Sequence, residues 1–125
     1  MNKVFLYGTS DSDEYRRLEA YLRTVPFNGR LCVLPPGSGL TSPVSLQLRS
    51  NDVMILFAAN EMDLDQLIQS RSEYLSFRIL LVLEKEEQLF SHDTWLLAPR
   101  LIFFAEDGFG ALASCLENMC KHFRP

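Results

Sequence analysis

Five short, mostly apolar runs alternate along this chain with segments of helical periodicity. The third run, residues 52–58, reads DVMILFA and is apolar from its second position onward. A strand can be apolar on both faces only where both faces of its sheet are covered, as in parallel sheets flanked by helices. The alternation therefore predicts an α/β protein, a three-layer α/β/α sandwich with a five-stranded parallel sheet. Right-handed crossovers leave few topologies, and strand order 2-1-3-4-5 is favoured among them.

The element boundaries follow from apolar runs, helical spacing and capping residues. The predicted strands cover residues 3–7, 30–34, 52–58, 78–83 and 100–105. Short polar side chains that can accept from the first N–H groups of a helix predict N-caps at Ser10 or Asp11, Ser42, Asn60 and Asp107. The first of these helices ends near Thr24 and the second near Arg49. The third carries apolar residues to Leu75 and the last to Phe123, while a further, irregular helix is expected over 86–97.

Length and charge exclude several classes of function. The 125 residues fit one domain, residues 1–125, and at this length folding should bury roughly two-thirds of the unfolded chain's surface without a disulfide or metal. The net charge is −4 and the 12 basic residues are scattered. Proteins that bind nucleic acids instead cluster Lys and Arg. We therefore expect no nucleic-acid partner.

The sequence also predicts no membrane partner. It has no run of roughly 18 apolar residues, the length that a membrane-spanning helix needs. Its N-terminus turns acidic too early for a signal peptide. The three cysteines, Cys32, Cys115 and Cys120, form no CxxC pair, which favours reduced thiols and a cytoplasmic location.

A ligand site in such a sheet would lie beyond the carboxyl ends of the strands, where strands 1 and 3 diverge. The loops there are 8–13, 58–61, 84–86 and 105–108. Neither His92 nor His122 has carboxylates at metal-ligand spacing, so no metal site is predicted. The chain also lacks a GxSxG elbow and a phosphate-binding GxxxxGK[ST] loop.

The order of elements and the DVMILF strand resemble response-regulator receiver domains over nearly the whole chain. That family places an acidic pair after strand 1, an acceptor aspartate at the end of strand 3, a Thr or Ser after strand 4 and a Lys after strand 5. At the corresponding places this chain has Gly8 and Thr9, then Phe57 or Ala58, then Leu83 or Glu84, then Ala105 or Glu106. None of these residues matches the family.

These departures remove the family's chemistry. Forming an acyl phosphate needs a carboxylate nucleophile, Mg²⁺ and a cation that balances the phosphoryl charge. Phe57 and Ala58 offer no nucleophile, and Glu106 would repel the phosphoryl group. The resemblance thus implies a phosphorylation-independent, receiver-like signalling module that is not an enzyme and needs no cofactor.

Such a module would act by binding a protein partner. Receiver domains commonly associate through helix 4, strand 5 and helix 5, so a homodimer through that surface is one form of contact. Aromatic residues are enriched at interface hot spots, and Phe90, Trp95 and Phe109 are the candidates here. Burial in the core is the alternative for all three. The acidic run around Lys85 is either a solvated helix start or a rim that selects a basic partner.

A second function from another class is a domain or enzyme that binds a flavin or nucleotide. The stretch YGTSDSDEY after strand 1 resembles the phosphate loop of flavodoxins, which implies Thr9, Ser10, Ser12 and Asn60 as ligand-binding residues. However, Asp11, Asp13 and Glu14 would repel a phosphate in the same turn. Helix capping explains these polar residues without any ligand.

Overall fold

Five strands form a single parallel sheet in the order β2-β1-β3-β4-β5, which confirms the predicted fold class and topology. The computed structural model describes residues 3–8, 12–24, 30–33, 53–71, 78–85, 94–97 and 99–121. The strands are β1 Lys3–Gly8, β2 Arg30–Val33, β3 Val53–Ala58, β4 Arg78–Leu83 and β5 Leu101–Phe104. The architecture is consistent with a flavodoxin-like fold.

The described residues include three α-helices and two short 3-10 helices. The α-helices are α1 Asp13–Thr24, α2 Glu61–Gln69 and α3 Gly110–Lys121, and the 3-10 helices are Thr94–Leu97 and Ala105–Asp107. The helix predicted to end near Arg49 lies outside the described residues. Of the helix predicted over 86–97, only the 3-10 turn at its end is described. Among the described residues, no helix is long and apolar enough to cross a membrane.

Two predicted N-caps are wrong. Helix α1 is capped by Ser12, whose Oγ accepts from the Tyr15 N–H at 3.1 Å, rather than by Ser10 or Asp11, which lie outside the described residues. Asp107 does not cap α3 because it ends a 3-10 turn. Gly108 then adopts a positive φ of 80° to redirect the chain, and α3 begins two residues later.

The core forms two layers, one on each face of the sheet, because side chains alternate along each strand. Helices α1 and α3 cover one face and α2 covers the other, together with Leu97 of the first 3-10 helix. Every side chain of β3 and β4 is buried, as the apolar runs predict. The inward residues of α1 are Tyr15, Leu18 and Leu22, and the fully buried residues of α3 are Leu112 and Leu116.

Helix α1 approaches β1 closely where Gly8 pairs with Phe57 of β3. A Cβ added to Gly8 would stand 2.9 Å from two ring carbons of Tyr15. Tyr15 is itself 1% exposed, so its ring has no room to retreat. A glycine is therefore required here because of packing.

Replacing Gly8 with Ala should lower the free energy of unfolding by roughly 1–3 kcal/mol, because the added methyl group overpacks the Tyr15 ring. Urea denaturation would measure the change. The matched control is Gly110→Ala, where a Cβ meets nothing within 4 Å. This control should leave stability unchanged or raise it by up to about 1 kcal/mol. Equal stability of the two variants would contradict the packing explanation.

Candidate functional site

The carboxyl ends of β3, β4 and β5 form a continuous rim. Beyond the last strand residues, the Glu84 N–H donates to the Ala58 carbonyl at 3.3 Å, and the Glu106 N–H donates to the Glu84 carbonyl at 3.3 Å. The backbone pairing of the sheet thus continues past the strands. These bonds hold Glu84 and Glu106 at neighbouring positions on the edge where a ligand would bind in this kind of sheet.

Apolar side chains fill both faces of the sheet at the end of β3. Phe57 is 1% exposed, and its ring lies edge-on to Tyr15 with 5.9 Å between ring centroids and an interplanar angle of 67°. Ala58 is fully buried against the opposite helical layer. A carboxylate at either position would be removed from water, and an isolated buried charge is strongly unfavourable. Phe57 and Ala58 at the end of β3 therefore have a packing role.

Two backbone donors at the start of α2, the N–H groups of Ala59 and Asp63, are bonded within the protein. The Asp63 carboxylate accepts from the Ala59 N–H at 3.3 Å, while Asn60 Oδ1 accepts from the Asp63 N–H at 2.9 Å. Asn60 is the predicted N-cap of α2, and this prediction is confirmed. Helix N-termini commonly bind anions. Here the largely buried Asp63 supplies the negative charge from the chain itself.

Sequence reasoning missed Asp63, although the spacing of Asn60 and Asp63 carries a signal for it. In a capping box, a polar N-cap is followed three residues later by a side chain that reaches back to the start of the helix. Asp63 occupies that position and bonds one residue further back, at Ala59. The motif explains why a carboxylate is buried here.

Of the four residues predicted for a flavin or nucleotide, two fall within the described residues. The oxygen atoms of Ser12 and Asn60 each accept a backbone N–H at the start of a helix. Both side chains therefore have a structural role. Thr9 and Ser10 lie outside the described residues, so the ligand-binding hypothesis stays a prediction.

A charged crevice of about 450 Å³ lies between α1 and the ends of β4 and β5. Its charged lining residues are Glu14, Arg17, Glu84, Lys85, Glu106 and Asp107. Carboxylates outnumber cations here, which disfavours binding of a phosphate. Among the described residues, no group of three or more His, Cys, Asp or Glu side chains is arranged to hold a metal ion.

Arg17 contacts residues of both the crevice and the core. Its Nη1 donates to both carboxylate oxygens of Glu14 at 2.8 Å, and its guanidinium carbon lies 5.9 Å from the centroid of the Phe109 ring. Both interactions are partly exposed, and surface ion pairs contribute about 0–1 kcal/mol. These contacts place Arg17 between Glu14 of α1 and Phe109, the residue before α3.

The aromatic candidates for an interface have different positions. Phe109 is 7% exposed and packs against Tyr21 with 5.6 Å between ring centroids, so it belongs to the core and is not a surface anchor. The backbone of Trp95 lies in the 3-10 helix Thr94–Leu97, but its side chain lies outside the described part of the structure. Phe90 lies outside it entirely.

An exposed apolar edge was not predicted. β5 is an outer strand of the sheet, and its four residues are all partly or fully exposed, with Leu101 50% exposed. Leu101–Phe104 reads as a buried strand in the sequence because every residue in it is apolar. The predicted strand order already makes strand 5 an outer strand, but the apolar run by itself gives no sign that Leu101 is half exposed.

Cys115 lacks the lowered pKa of a catalytic thiol. Cys32 and Cys115 are free and partly buried. Burial raises the pKa of the Cys115 thiol, and its Sγ lies 3.6 Å from the sulfur of Met119. A reactive cysteine needs a lowered pKa, so Cys115 has a packing role.

Comparison of the chain with protein-family models, curated proteins and solved structures found no significant match.

Replacing Asn60 with Ala should lower the free energy of unfolding by about 1 kcal/mol, because the Asp63 N–H loses its acceptor. Asn60→Asp is the matched control, since an aspartate caps a helix equally well and should retain most of that stability. Urea denaturation of both variants would measure the difference. If Asn60→Asp loses as much stability as Asn60→Ala, the capping role is wrong.

Cys115 should react with iodoacetamide at neutral pH more slowly than a free thiol such as glutathione. Its raised pKa reduces the fraction of thiolate, the nucleophilic form, at that pH. Peptide mass spectrometry of the folded protein over time would follow the reaction at this residue. Denatured protein is the control and should react at the rate of a free thiol.

Proposed function

We propose that this protein is a receiver-like regulatory module that receives no phosphoryl group and acts by binding another protein chain. One observation carries the proposal: Phe57, at the end of the central strand, is buried beneath Tyr15 where an acceptor carboxylate would need water and Mg²⁺. The strand order supports the likeness to receiver domains, although many unrelated functions share this topology.

The electrostatics of the rim favour the same proposal. Phosphoryl transfer needs cations around the transferred group. Glu84 and Glu106 line the crevice. The resemblance puts Leu83 or Glu84 where the receiver family has a hydroxyl residue, and Ala105 or Glu106 where it has a lysine. Asp63 also occupies the Ala59 N–H. Each of these groups opposes a phosphoryl anion.

The protein partner would bind at the surface around β5. This strand exposes apolar side chains at an edge of the sheet, and exposed apolar surface often marks interaction sites. The other two parts of the proposed surface, the helix predicted over 86–97 and the last helix, flank this strand in the chain. The cytoplasmic location that the cysteines favour stays a prediction.

Incubation with acetyl phosphate and Mg²⁺ should leave the intact mass of the protein unchanged, because the end of β3 holds no accessible nucleophile. Beryllofluoride with Mg²⁺ should likewise leave the fluorescence of Trp95, the single tryptophan, unchanged. A receiver domain that retains its acceptor aspartate is the positive control for both reagents. Stoichiometric modification, or a Mg²⁺-dependent change in fluorescence, would refute the proposal.

A further inference from the structure

The fold gathers basic residues that are scattered in the sequence. Three strands begin with one, β1 with Lys3, β2 with Arg30 and β4 with Arg78, and Arg100 directly precedes β5. Because all five strands are parallel, these four positions lie at the same edge of the sheet, which we call the amino edge. Lys3 and Arg30 are direct neighbours in the register of β1 and β2.

The ends of the α-helices add positive charge to the amino edge. A helix that follows a strand packs back across the sheet, so its last residues return to this edge. Arg23 lies in the last turn of α1, Arg71 follows the end of α2 by two residues, and Lys121 ends α3. Among the described residues, neither the strand starts nor the last turns of α1, α2 and α3 carry a carboxylate. The charged residues that adjoin this edge in the sequence but lie outside the described residues are Arg49, Asp52 and Glu73.

The opposite edge, where the strands end, is acidic, and we call it the carboxyl edge. The carboxylates at this edge include Glu14, Glu61, Asp65, Glu84, Glu106 and Asp107. The side chains of Glu61, Asp65, Glu106 and Asp107 are exposed. Cations are fewer in the crevice at this edge, which Arg17 and Lys85 line. The two edges of the sheet therefore carry opposite charge.

Helix stability explains only part of this separation. Carboxylates near helix starts and cations near helix ends interact favourably with the helix dipole, which accounts for residues such as Glu61 and Arg23. Strands have only small net dipoles, so the cations at the strand starts have no such explanation. Like charges at neighbouring positions, such as Lys3 and Arg30, repel each other. Negative charge from a partner would remove this repulsion.

Strands β4 and β5 carry the same charge pattern from one edge to the other. Arg78 begins β4 and Glu84 follows it, while Arg100 precedes β5 and Glu106 lies just beyond its end. In both cases the glutamate is six positions after the arginine. The Glu106 N–H donates to the Glu84 carbonyl at 3.3 Å, and the Arg100 N–H donates to the carbonyl of Ile79, the residue after Arg78, at 2.7 Å. The separation of neighbouring strands thus determines the lateral spacing of the charged positions at both edges.

We propose that copies of this chain associate head to tail, with the amino edge of one copy against the carboxyl edge of the next. A copy displaced along the strand direction brings Glu84 and Glu106 toward the arginines at the starts of β4 and β5, with matching spacing. Exposed Arg71 and Arg100 make the direct contacts, and Arg78, which is 8% exposed, adds to the positive potential. Such a contact leaves one edge of each kind free, so further copies can add. This inference goes beyond the proposed function, which places a partner around β5.

Association through opposite charges should depend strongly on salt. At about 10 mM salt, where the Debye length is about 30 Å, the weight-average mass of the wild type should rise with protein concentration beyond that of a dimer. At about 1 M salt, where the Debye length is about 3 Å, the mass should return to that of the monomer. Sedimentation equilibrium would measure both.

Charge reversal at exposed residues tests the two edges separately. Arg71→Glu/Arg100→Glu makes the contact region of the amino edge acidic, and Glu106→Lys/Asp107→Lys makes that of the carboxyl edge basic. Each double variant by itself should associate with an apparent Kd at least about tenfold higher than the wild type, because like charges then face each other. An equimolar mixture of the two variants should associate, since an acidic edge of one then meets a basic edge of the other.

Two controls separate the pairing of edges from net charge. The fourfold variant that combines both double substitutions keeps the net charge of −4 and exchanges the sign at both edges, so it should associate with itself. Glu117→Lys changes a charge in the body of α3, away from either edge, and should associate like the wild type. Circular dichroism of each variant checks that it is folded.

A wild type that stays monomeric at millimolar concentration in low salt would overturn the head-to-tail contact. So would association that persists at high salt or in both double variants, or a mixture of those variants that does not associate. If the monomer instead binds a single-stranded oligonucleotide and Arg71→Glu/Arg100→Glu loses this binding, the partner of the amino edge is a polyanion and the proposal is wrong. None of these results changes the outcome of the acetyl phosphate experiment, which tests the proposed function separately.

Discussion

The edge-to-face contact of Tyr15 with Phe57, closed over Gly8, is the interaction on which the carboxyl edge of this sheet depends. It joins α1 to the central strand at the point where sheets of this kind normally open into a ligand crevice. Aromatic pairs of this geometry contribute about 0.5–1.5 kcal/mol beyond the area that they bury. Because both rings are buried, neither a ligand nor water reaches the end of β3 from this side.

The polar groups near this contact also stabilise the fold. Ser12 and Asn60 cap the helices that follow β1 and β3, and Asp63 accepts the Ala59 N–H. Groups that hold a phosphate in other proteins of this topology thus stabilise helix ends here. Other charged side chains line the crevice beside Arg17, where carboxylates outnumber cations.

The sheet was predictable from the sequence because β1, β3 and β4 need apolar residues on both faces, and runs such as Val53–Ala58 show this directly. The cap of α1 was not predictable from the sequence, because each residue from Ser10 to Asp13 can cap a helix. Only the path of the backbone selects Ser12. The start of α3 was misplaced because an Asp before a Gly can cap a helix or close a turn. The exposure of Leu101 was missed although the predicted order already makes β5 an outer strand, because a continuous apolar run resembles a buried strand.

The closed end of β3 also affects how such a protein could be regulated. A receiver domain with an acceptor aspartate exists in an unphosphorylated and a phosphorylated form. A fixed amount of such a protein can therefore give two different signals. With Phe57 packed beneath Tyr15, the end of β3 presents no accessible carboxylate that could be modified in this way. If the protein binds a partner chain as proposed, the bound fraction follows from mass action alone. The cell would then set the signal by how much of the protein it makes and degrades.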